Sequence, residues 1–304
     1  MTANLPPGLQ VVERGWLSAN LVMATGQVPA LVDSGYVTHS AQTLQLVQAG
    51  LRGEAPALLV NTHLHSDHCG GNAALQAAYP ELRTLVPPGH AQEVARWDVD
   101  ALTYRPTGQN CPRFRCDGVL LPGQDLRLGD IDWQVHAAPG HDPHSVILFE
   151  PASRTVISAD ALWENGFGVV FPELEGEAAF DEVGATLDLI EHLQPATVIP
   201  GHGPVFAYRT EVMDRARQRL EGFRRDPVRH ALHAGKVLLK FKLLEVQKQP
   251  RAEFLAWAGA TPYLQTVQAR FFPDTPLAAW MEALLDDLAR VGAAEQTPDW
   301  VFNR

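Results

Sequence analysis

The chain has 304 residues, of which 46% are hydrophobic and 19% charged, which is enough apolar material for a large core in one or two domains. It has no apolar run near the roughly 20 residues that span a bilayer, and no basic segment followed by an apolar one that would predict a secretory signal. We therefore expect a cytoplasmic protein with no membrane association. The net charge of −11 weighs against a nucleic acid as the main partner and favours a small-molecule substrate.

The first part of the chain predicts strands joined by tight turns. Residues 9–37 contain short apolar runs with glycines at turn positions, and a helix is predicted over residues 40–49. The run Ala57–Val60 (ALLV) predicts a buried strand, and a helical stretch over Asn72–Tyr79 follows it. Between this strand and this helix lies the most distinctive sequence of the chain.

That sequence is HLHSDH, from His63 to His68, which places three histidines and an aspartate within six residues. Neutral imidazole and carboxylate groups are the ligands that borderline divalent metals such as zinc or iron prefer. A single histidine is more often structural, but four candidate ligands clustered after a strand predict a metal site.

Three further candidate ligands each follow an apolar run. His141 follows the alternating segment Ile131–Ala137, Asp160 follows Thr155–Ser158, and His202 follows Thr197–Ile199. Because strand ends at one edge of a sheet can converge, the repeated order of strand, turn and ligand predicts one shared site.

These motifs resemble the metallo-β-lactamase superfamily over roughly the first 210 residues. The segment VDSG (Val32–Gly35) also resembles the family's first strand-turn, where an aspartate commonly supports the site. The resemblance implies an α/β fold, an αββα sandwich of two mixed sheets with helices outside, and a dinuclear metal centre. It implies that one metal is held by His63, His65 and His141, a second by Asp67, His68 and His202, with Asp160 bridging the two.

The chemistry of such a site is hydrolytic. Two divalent cations can share a bridging water and lower its pKa, so that the resulting hydroxide is a nucleophile at neutral pH. Asp67 is the predicted catalytic residue, because it can orient the hydroxide or carry its proton to the leaving group. We expect a metal-dependent hydrolase of a small ester, thioester or lactone. Zinc is the expected metal, and iron or manganese fits the same ligands.

Three other functions stay open at this point. A persulfide dioxygenase would use a single iron at His63, His141 and Asp160. A metal-dependent nuclease or phosphodiesterase would need a local basic groove, and a non-catalytic ligand-binding protein would use the same site as a pocket. The oligomeric state is also open, and a homodimer is one alternative.

Residues after His202 predict a second region. We expect a metal-binding domain over residues 1–208 and an α-helical C-terminal extension over residues 209–304. The arginine-rich stretch Thr210–Arg225 predicts a helix with a solvated face, and an anion-binding surface is the alternative. The predicted later helices are His230–Gln247, Arg251–Ala258, Pro262–Phe272 and Pro276–Arg290.

A few side chains outside the ligand set carry weaker predictions. Trp163, Phe167 and Phe171 are candidates for an apolar pocket lining, and His144 is a candidate for a role near the site. Cys69 is expected to be a packed side chain. Cys111 and Cys116 are expected to be reduced thiols, with a disulfide between them as the alternative.

Overall fold

The computed structural model describes residues 4–304, and within them the chain forms two six-stranded sheets packed face to face. In the first sheet the strands lie in chain order, antiparallel over the first three and parallel over the rest. Its strands are β1 (Leu9–Val12), β2 (Leu21–Ala24), β3 (Ala30–Val32), β4 (Leu58–Val60), β5 (Arg83–Val86) and β6 (Gly118–Val119).

In the second sheet, too, each strand lies next to its neighbours in the chain. Its strands are β7 (Asp125–Leu128), β8 (Ile131–Ala137), β9 (Val146–Glu150), β10 (Thr155–Ala159), β11 (Thr197–Pro200) and β12 (Phe206–Ala207). All neighbouring pairs are antiparallel except β10 and β11, which are parallel. The carboxyl ends of β10 and β11 therefore lie at the same edge of the sheet.

Helices cover the outer faces of both sheets and continue beyond them. They are α1 (Ser40–Gly50), α2 (Ser66–Cys69), α3 (Asn72–Ala78), α4 (Ala91–Arg96), α5 (Phe171–Glu175), α6 (Ala179–Leu193), α7 (Thr210–Arg225), α8 (Pro227–Val246), α9 (Arg251–Ala260), α10 (Pro262–Phe271) and α11 (Leu277–Arg290). Short 3-10 turns lie at Val37–His39 and Pro88–His90.

The alternation of side chains along each strand explains the layers. In β2, Val22 faces the second sheet and packs in the central core, whereas Leu21 and Met23 face outward against α1 and α3. On the other side, Ile147 and Val198 face outward against α6 and α7. Two sheets with helices on both outer faces form the αββα sandwich that the sequence predicted.

The C-terminal region has its own apolar core, formed by helices α8 to α11. Helix α7 differs, because its buried residues, such as Val212 and Met213, pack with the outer face of the second sheet. The division of the chain at residue 208 stays a prediction. The helical region also contains a feature that the sequence analysis missed, a small antiparallel sheet of β13 (Lys248–Pro250), β14 (Ala294–Gln296) and β15 (Trp300–Asn303).

Among residues 4–304, none of the helices is long and apolar enough to cross a membrane.

Candidate metal centre

The seven predicted ligand residues come together at one edge of the sandwich. His63 and His65 follow β4, Asp67 and His68 lie in α2, and His141 follows the hairpin strand β8. Asp160 and His202 directly follow β10 and β11. The strand ends converge as the sequence predicted, and within the residues described their side chains form three overlapping groups that could hold a metal ion.

The first group consists of His63, His65 and His141. His63 Nε2 lies 3.1 Å from His65 Nδ1, and His141 Nε2 lies 2.9 Å from the same atom. These distances place three imidazole nitrogens around one point, the geometry that three ligands of a tetrahedral ion adopt.

The second group consists of Asp67, His68 and His202. Asp67 Oδ2 lies 3.1 Å from His202 Nε2 and 4.0 Å from His68 Nε2. Asp160 lies between the two groups, with Oδ1 3.4 Å from His68 Nε2 and Oδ2 3.5 Å from His141 Nε2. Its carboxylate therefore faces both groups, as a bridging ligand would.

In three of these histidines, the ring nitrogen that points away from the other ligands hydrogen-bonds to an oxygen atom. His68 Nδ1 lies 2.8 Å from Asp33 Oδ2, His141 Nδ1 lies 2.6 Å from the Val169 carbonyl, and His202 Nδ1 lies 3.2 Å from the Gly15 carbonyl. An N–H on the outer nitrogen leaves the inner nitrogen with its lone pair directed at the centre. Asp33, in the VDSG segment, thus supports the site as the resemblance implied.

The ligand atoms that face the centre of the site suit a divalent cation better than they suit hydrogen bonds to one another. The buried His68 Nε2 has no hydrogen-bond partner within residues 4–304, although its ring is 0% exposed. His65 Nδ1 faces two other Nε2 atoms, and only one hydrogen can satisfy such a set. A cation on the common point would satisfy these buried lone pairs together, so the residues present fit a metal centre.

The protonation states of the first group and of Asp160 also suit metal binding. Burial, followed by the neighbouring imidazoles, holds the pKa of His63 well below its usual value and lowers that of His65 to about 4. Burial alone would raise the pKa of Asp160, but the His68 and His202 imidazoles hold it well below the ordinary carboxyl range. Neutral histidines and an ionised aspartate are the forms that bind metals.

Two glycines allow the ligands to approach the backbone closely. A Cβ atom at Gly168 would overlap the ring of His141, and one at Gly201 would overlap Asp160 Oδ1 and lie 3.0 Å from His68 Cε1. Only a residue without a side chain fits at either position.

We expect Gly201→Ala to weaken metal affinity by about 10- to 100-fold, because it displaces two ligand side chains. Chelator competition followed by elemental analysis measures this. Gly184→Ala is the matched control, since its Cβ would meet its first neighbours at 3.5 Å, an ordinary contact, inside α6. Unchanged affinity in Gly201→Ala would contradict the close approach at this turn.

The metal centre forms the floor of a cavity of about 360 Å³. Trp16 lies at its mouth, where its ring stacks on His202 with 5.5 Å between centroids. Trp163 and Phe171 line the wall as predicted, whereas Phe167 does not. Phe167 is 1% exposed and packs in the core under the second sheet, because the chain turns at Gly166 and reverses its direction.

Part of the cavity wall comes from the C-terminal region. Val237, Leu238 and Phe241 of α8 supply apolar surface, and Arg219 and His233 supply a polar patch. The prediction that the arginines of α7 form a solvated face is therefore wrong for Arg219, which lies against aromatic rings.

His144 and the cysteines lie away from the cavity wall. The His144 ring packs on His90 with 4.5 Å between centroids, and its backbone N–H donates to Asp142. The three cysteines are free thiols within residues 4–304, as expected, and Cys69 is buried next to Tyr104.

Comparison with known proteins places this site in a family. The sequence pattern of the metallo-beta-lactamase superfamily matches residues 14–202, which is more than half of the chain and includes every predicted ligand. A solved metallo-beta-lactamase family protein from Thermus thermophilus has the same fold, with a TM-score of 0.60, 19% identity, and coverage of 99% of this chain and 100% of that one.

Two kinds of curated relative are similar in sequence. A hydroxyacylglutathione hydrolase of Anaeromyxobacter dehalogenans is 33% identical over 48% of this chain and 47% of its own length. The acyl-coenzyme A thioesterase MBLAC2 of Gallus gallus is 25% identical over 62% of this chain and 73% of its own length. The chain thus spans about half the length of the hydroxyacylglutathione hydrolase. With the matched segment, the two-sheet fold and the convergent histidines in agreement, this chain belongs to the metallo-beta-lactamase superfamily.

Proposed function

We propose that this protein is a metal-dependent hydrolase of thioesters. The observation that carries the proposal is the pair of histidine groups joined by Asp160 at the floor of a mostly apolar cavity. The curated relatives narrow the choice among ester, thioester and lactone, because both kinds are named for thioester hydrolysis.

In this proposal His63, His65 and His141 would hold one divalent ion, Asp67, His68 and His202 would hold the other, and the Asp160 carboxylate would serve both. Zinc is the first choice, and iron or manganese fits the same nitrogen and oxygen donors. When bound, the two ions would supply a water of lowered pKa and polarise the thioester carbonyl. Hydrolysis breaks the C–S bond and adds hydroxyl to the acyl carbon and a proton to the sulfur, which yields a carboxylic acid and a thiol.

The residues of the chain orient this reaction. Asp67 is 14% exposed at the cavity floor, and its Oδ2 is close to His202 Nε2. A carboxylate there can hold the attacking water by accepting its hydrogen and can then carry the proton to the departing sulfur. Asp33 keeps His68 in one orientation through Nδ1, so that the second group does not rearrange as charge develops.

Two tryptophan side chains lie beside His202 in the wall of the cavity. Trp16 and Trp163 pack edge-to-face with 5.3 Å between ring centroids, and both rings contact His202. Trp163 Nε1 also donates to Asp160 Oδ1 over 3.2 Å, which couples this wall to the bridging carboxylate.

The test is a substrate panel with metal-loaded protein. Protein stripped of metal and reconstituted with zinc, iron or manganese is assayed on neutral thioesters, lactones and phosphodiesters, with His141→Asn as the inactive control. We expect metal-dependent thioester hydrolysis that is lost in His141→Asn. Oxygen uptake with glutathione persulfide, or no thioester turnover with two metals bound, would overturn the proposal.

A further inference from the structure

A partly buried arginine lies in the wall of the same cavity. Arg219 projects from α7, and its guanidinium carbon lies 5.6 Å from the centroid of the Phe167 ring and 5.1 Å from that of Phe223. Burial lowers its pKa, which expresses the cost of holding the charge away from water. Gly166, with φ +123°, brings the backbone close to Arg219, since a Cβ there would lie 2.8 Å from its Cδ.

The charge of Arg219 has no counter-ion within residues 4–304. Within the residues described, no carboxylate oxygen lies within 4.0 Å of its guanidinium, although Asp67, Asp160 and the exposed Glu164 line the same cavity. The other arginines of α7 with ion pairs, such as Arg217 and Arg225, pair on the outer surface. Arg219 Nε is also buried without a hydrogen-bond partner in this part of the chain.

Among residues 4–304, the one side chain that hydrogen-bonds to Arg219 is a neutral imidazole. Arg219 Nη2 donates to His233 Nε2 over 2.8 Å, and burial together with Arg219 lowers the pKa of His233 to about 3. His233 therefore orients the guanidinium without neutralising it. A partly buried cation that is oriented but unpaired has lost part of its hydration without gaining a counter-charge, which is typical of a site that receives an anion from a ligand.

The cavity that Arg219 shares with the metal ligands is mostly apolar. Val237, Leu238 and Phe241 of α8 line it together with Val169 and Phe171. A cavity of about 360 Å³ is at the lower end of the range for small-molecule sites. It fits a short chain with a reactive carbonyl at one end and an anionic group at the other.

We propose that Arg219, oriented by His233, binds a carboxylate of the substrate, so that the protein selects thioesters that carry a carboxylate over neutral ones. This inference rests on the proposed thioester hydrolysis. Neither residue lies in the segment that the family pattern matches, so the selectivity would be particular to this C-terminal region.

The experiment compares three thioesters with the metal-loaded protein. One has a neutral acyl group on a neutral thiol (butyryl N-acetylcysteamine), one a carboxylate on the acyl group (glutaryl N-acetylcysteamine), and one a carboxylate on the thiol (butyryl 3-mercaptopropionate). We expect kcat/KM for at least one carboxylate substrate to exceed that of the neutral substrate by about 10- to 100-fold. The preferred carboxylate substrate identifies the half of the thioester, acyl or thiol, that reaches Arg219.

The variants separate charge from packing. Arg219→Met keeps an unbranched stem against Phe167 and Phe223 and is expected to remove the preference, so that kcat/KM for the carboxylate substrate falls to about that for the neutral one. Arg219→Lys keeps the charge but lacks the planar fork, so we expect an intermediate preference. Arg225→Gln is the matched control, because it removes an arginine of the same helix whose pair with Glu221 is exposed.

A binding measurement keeps the inference testable if no thioester is hydrolysed. Glutarate binding to the zinc-loaded protein by calorimetry should weaken about 10-fold or more in Arg219→Met and stay unchanged in Arg225→Gln. Equal kcat/KM for neutral and carboxylate thioesters, or equal glutarate affinity in the wild type and Arg219→Met, would overturn the inference. Loss of turnover on all substrates with glutarate binding intact would instead contradict the proposed hydrolysis alone.

Discussion

Replacing Asp67 by asparagine is expected to lower kcat on a thioester by about 10²- to 10⁴-fold, the range for a positioned acid–base group. The amide keeps the size of the side chain and one oxygen but cannot accept the proton of the attacking water. His63, His65 and His141 are untouched, so metal at the first group should remain. The measurement is kcat together with metal stoichiometry on the same preparation.

The pH profile gives a second readout of the same role. Burial alone would raise the pKa of Asp67, but His68 and His202 hold it below the ordinary carboxyl value. A base with a lowered pKa stays ionised as the pH falls through the usual carboxyl range and loses its function only below it. We therefore expect no loss of activity near neutral pH from this group in the wild type.

An exposed aspartate provides the matched control for Asp67→Asn. Asp132→Asn makes the same chemical change on β8, where the carboxylate is exposed and pairs with Arg127, and it should leave turnover unchanged. Full turnover in Asp67→Asn with two metals bound would remove Asp67 from the reaction and leave it at most a ligand.

The ligand set could be predicted from the sequence because its signals are local. His63, His65, Asp67 and His68 are adjacent in one loop, and each later ligand directly follows an apolar run that forms a strand. The rule that strand ends share an edge then brings distant residues together without any knowledge of packing. Several of the longer helices were also predicted from local sequence, and Thr210–Arg225 has the predicted bounds.

The cavity wall could not be predicted because its signals are not local. Arg219 is one of five arginines between residues 215 and 225, and nothing in that spacing distinguishes it from its exposed neighbours. Its burial depends on Phe167 and Phe223, and its hydrogen bond depends on His233 of the next helix. The short strand Lys248–Pro250 was missed for a related reason, since its polar residues and proline carry no alternation.

Replacing Asp160 by asparagine should lower the metal content of the protein, whereas Asp67→Asn should lower turnover and keep metal at the first group. Asp160 faces His68 through one oxygen and His141 through the other, so its charge is shared by both groups. Removing that charge should weaken affinity by at least about 10²-fold, the upper end of what the loss of a supporting partner costs. Metal stoichiometry after dialysis should fall below that of Asp67→Asn, and turnover should fall with it.

Thermal unfolding with and without metal separates this effect from damage to the fold. An ion present at a hundredfold excess over its Kd stabilises the folded state by about 2.7 kcal/mol, and at a concentration equal to Kd by about 0.4 kcal/mol. In zinc at a hundredfold excess over the wild-type Kd, Asp160→Asn should therefore lose most of the metal-linked rise in Tm. The metal-free wild type and variant should both unfold cooperatively. If the variant keeps the full rise in Tm and two metals, Asp160 does not bridge the two groups, because a ligand shared by both ions cannot lose its charge without weakening at least one of them.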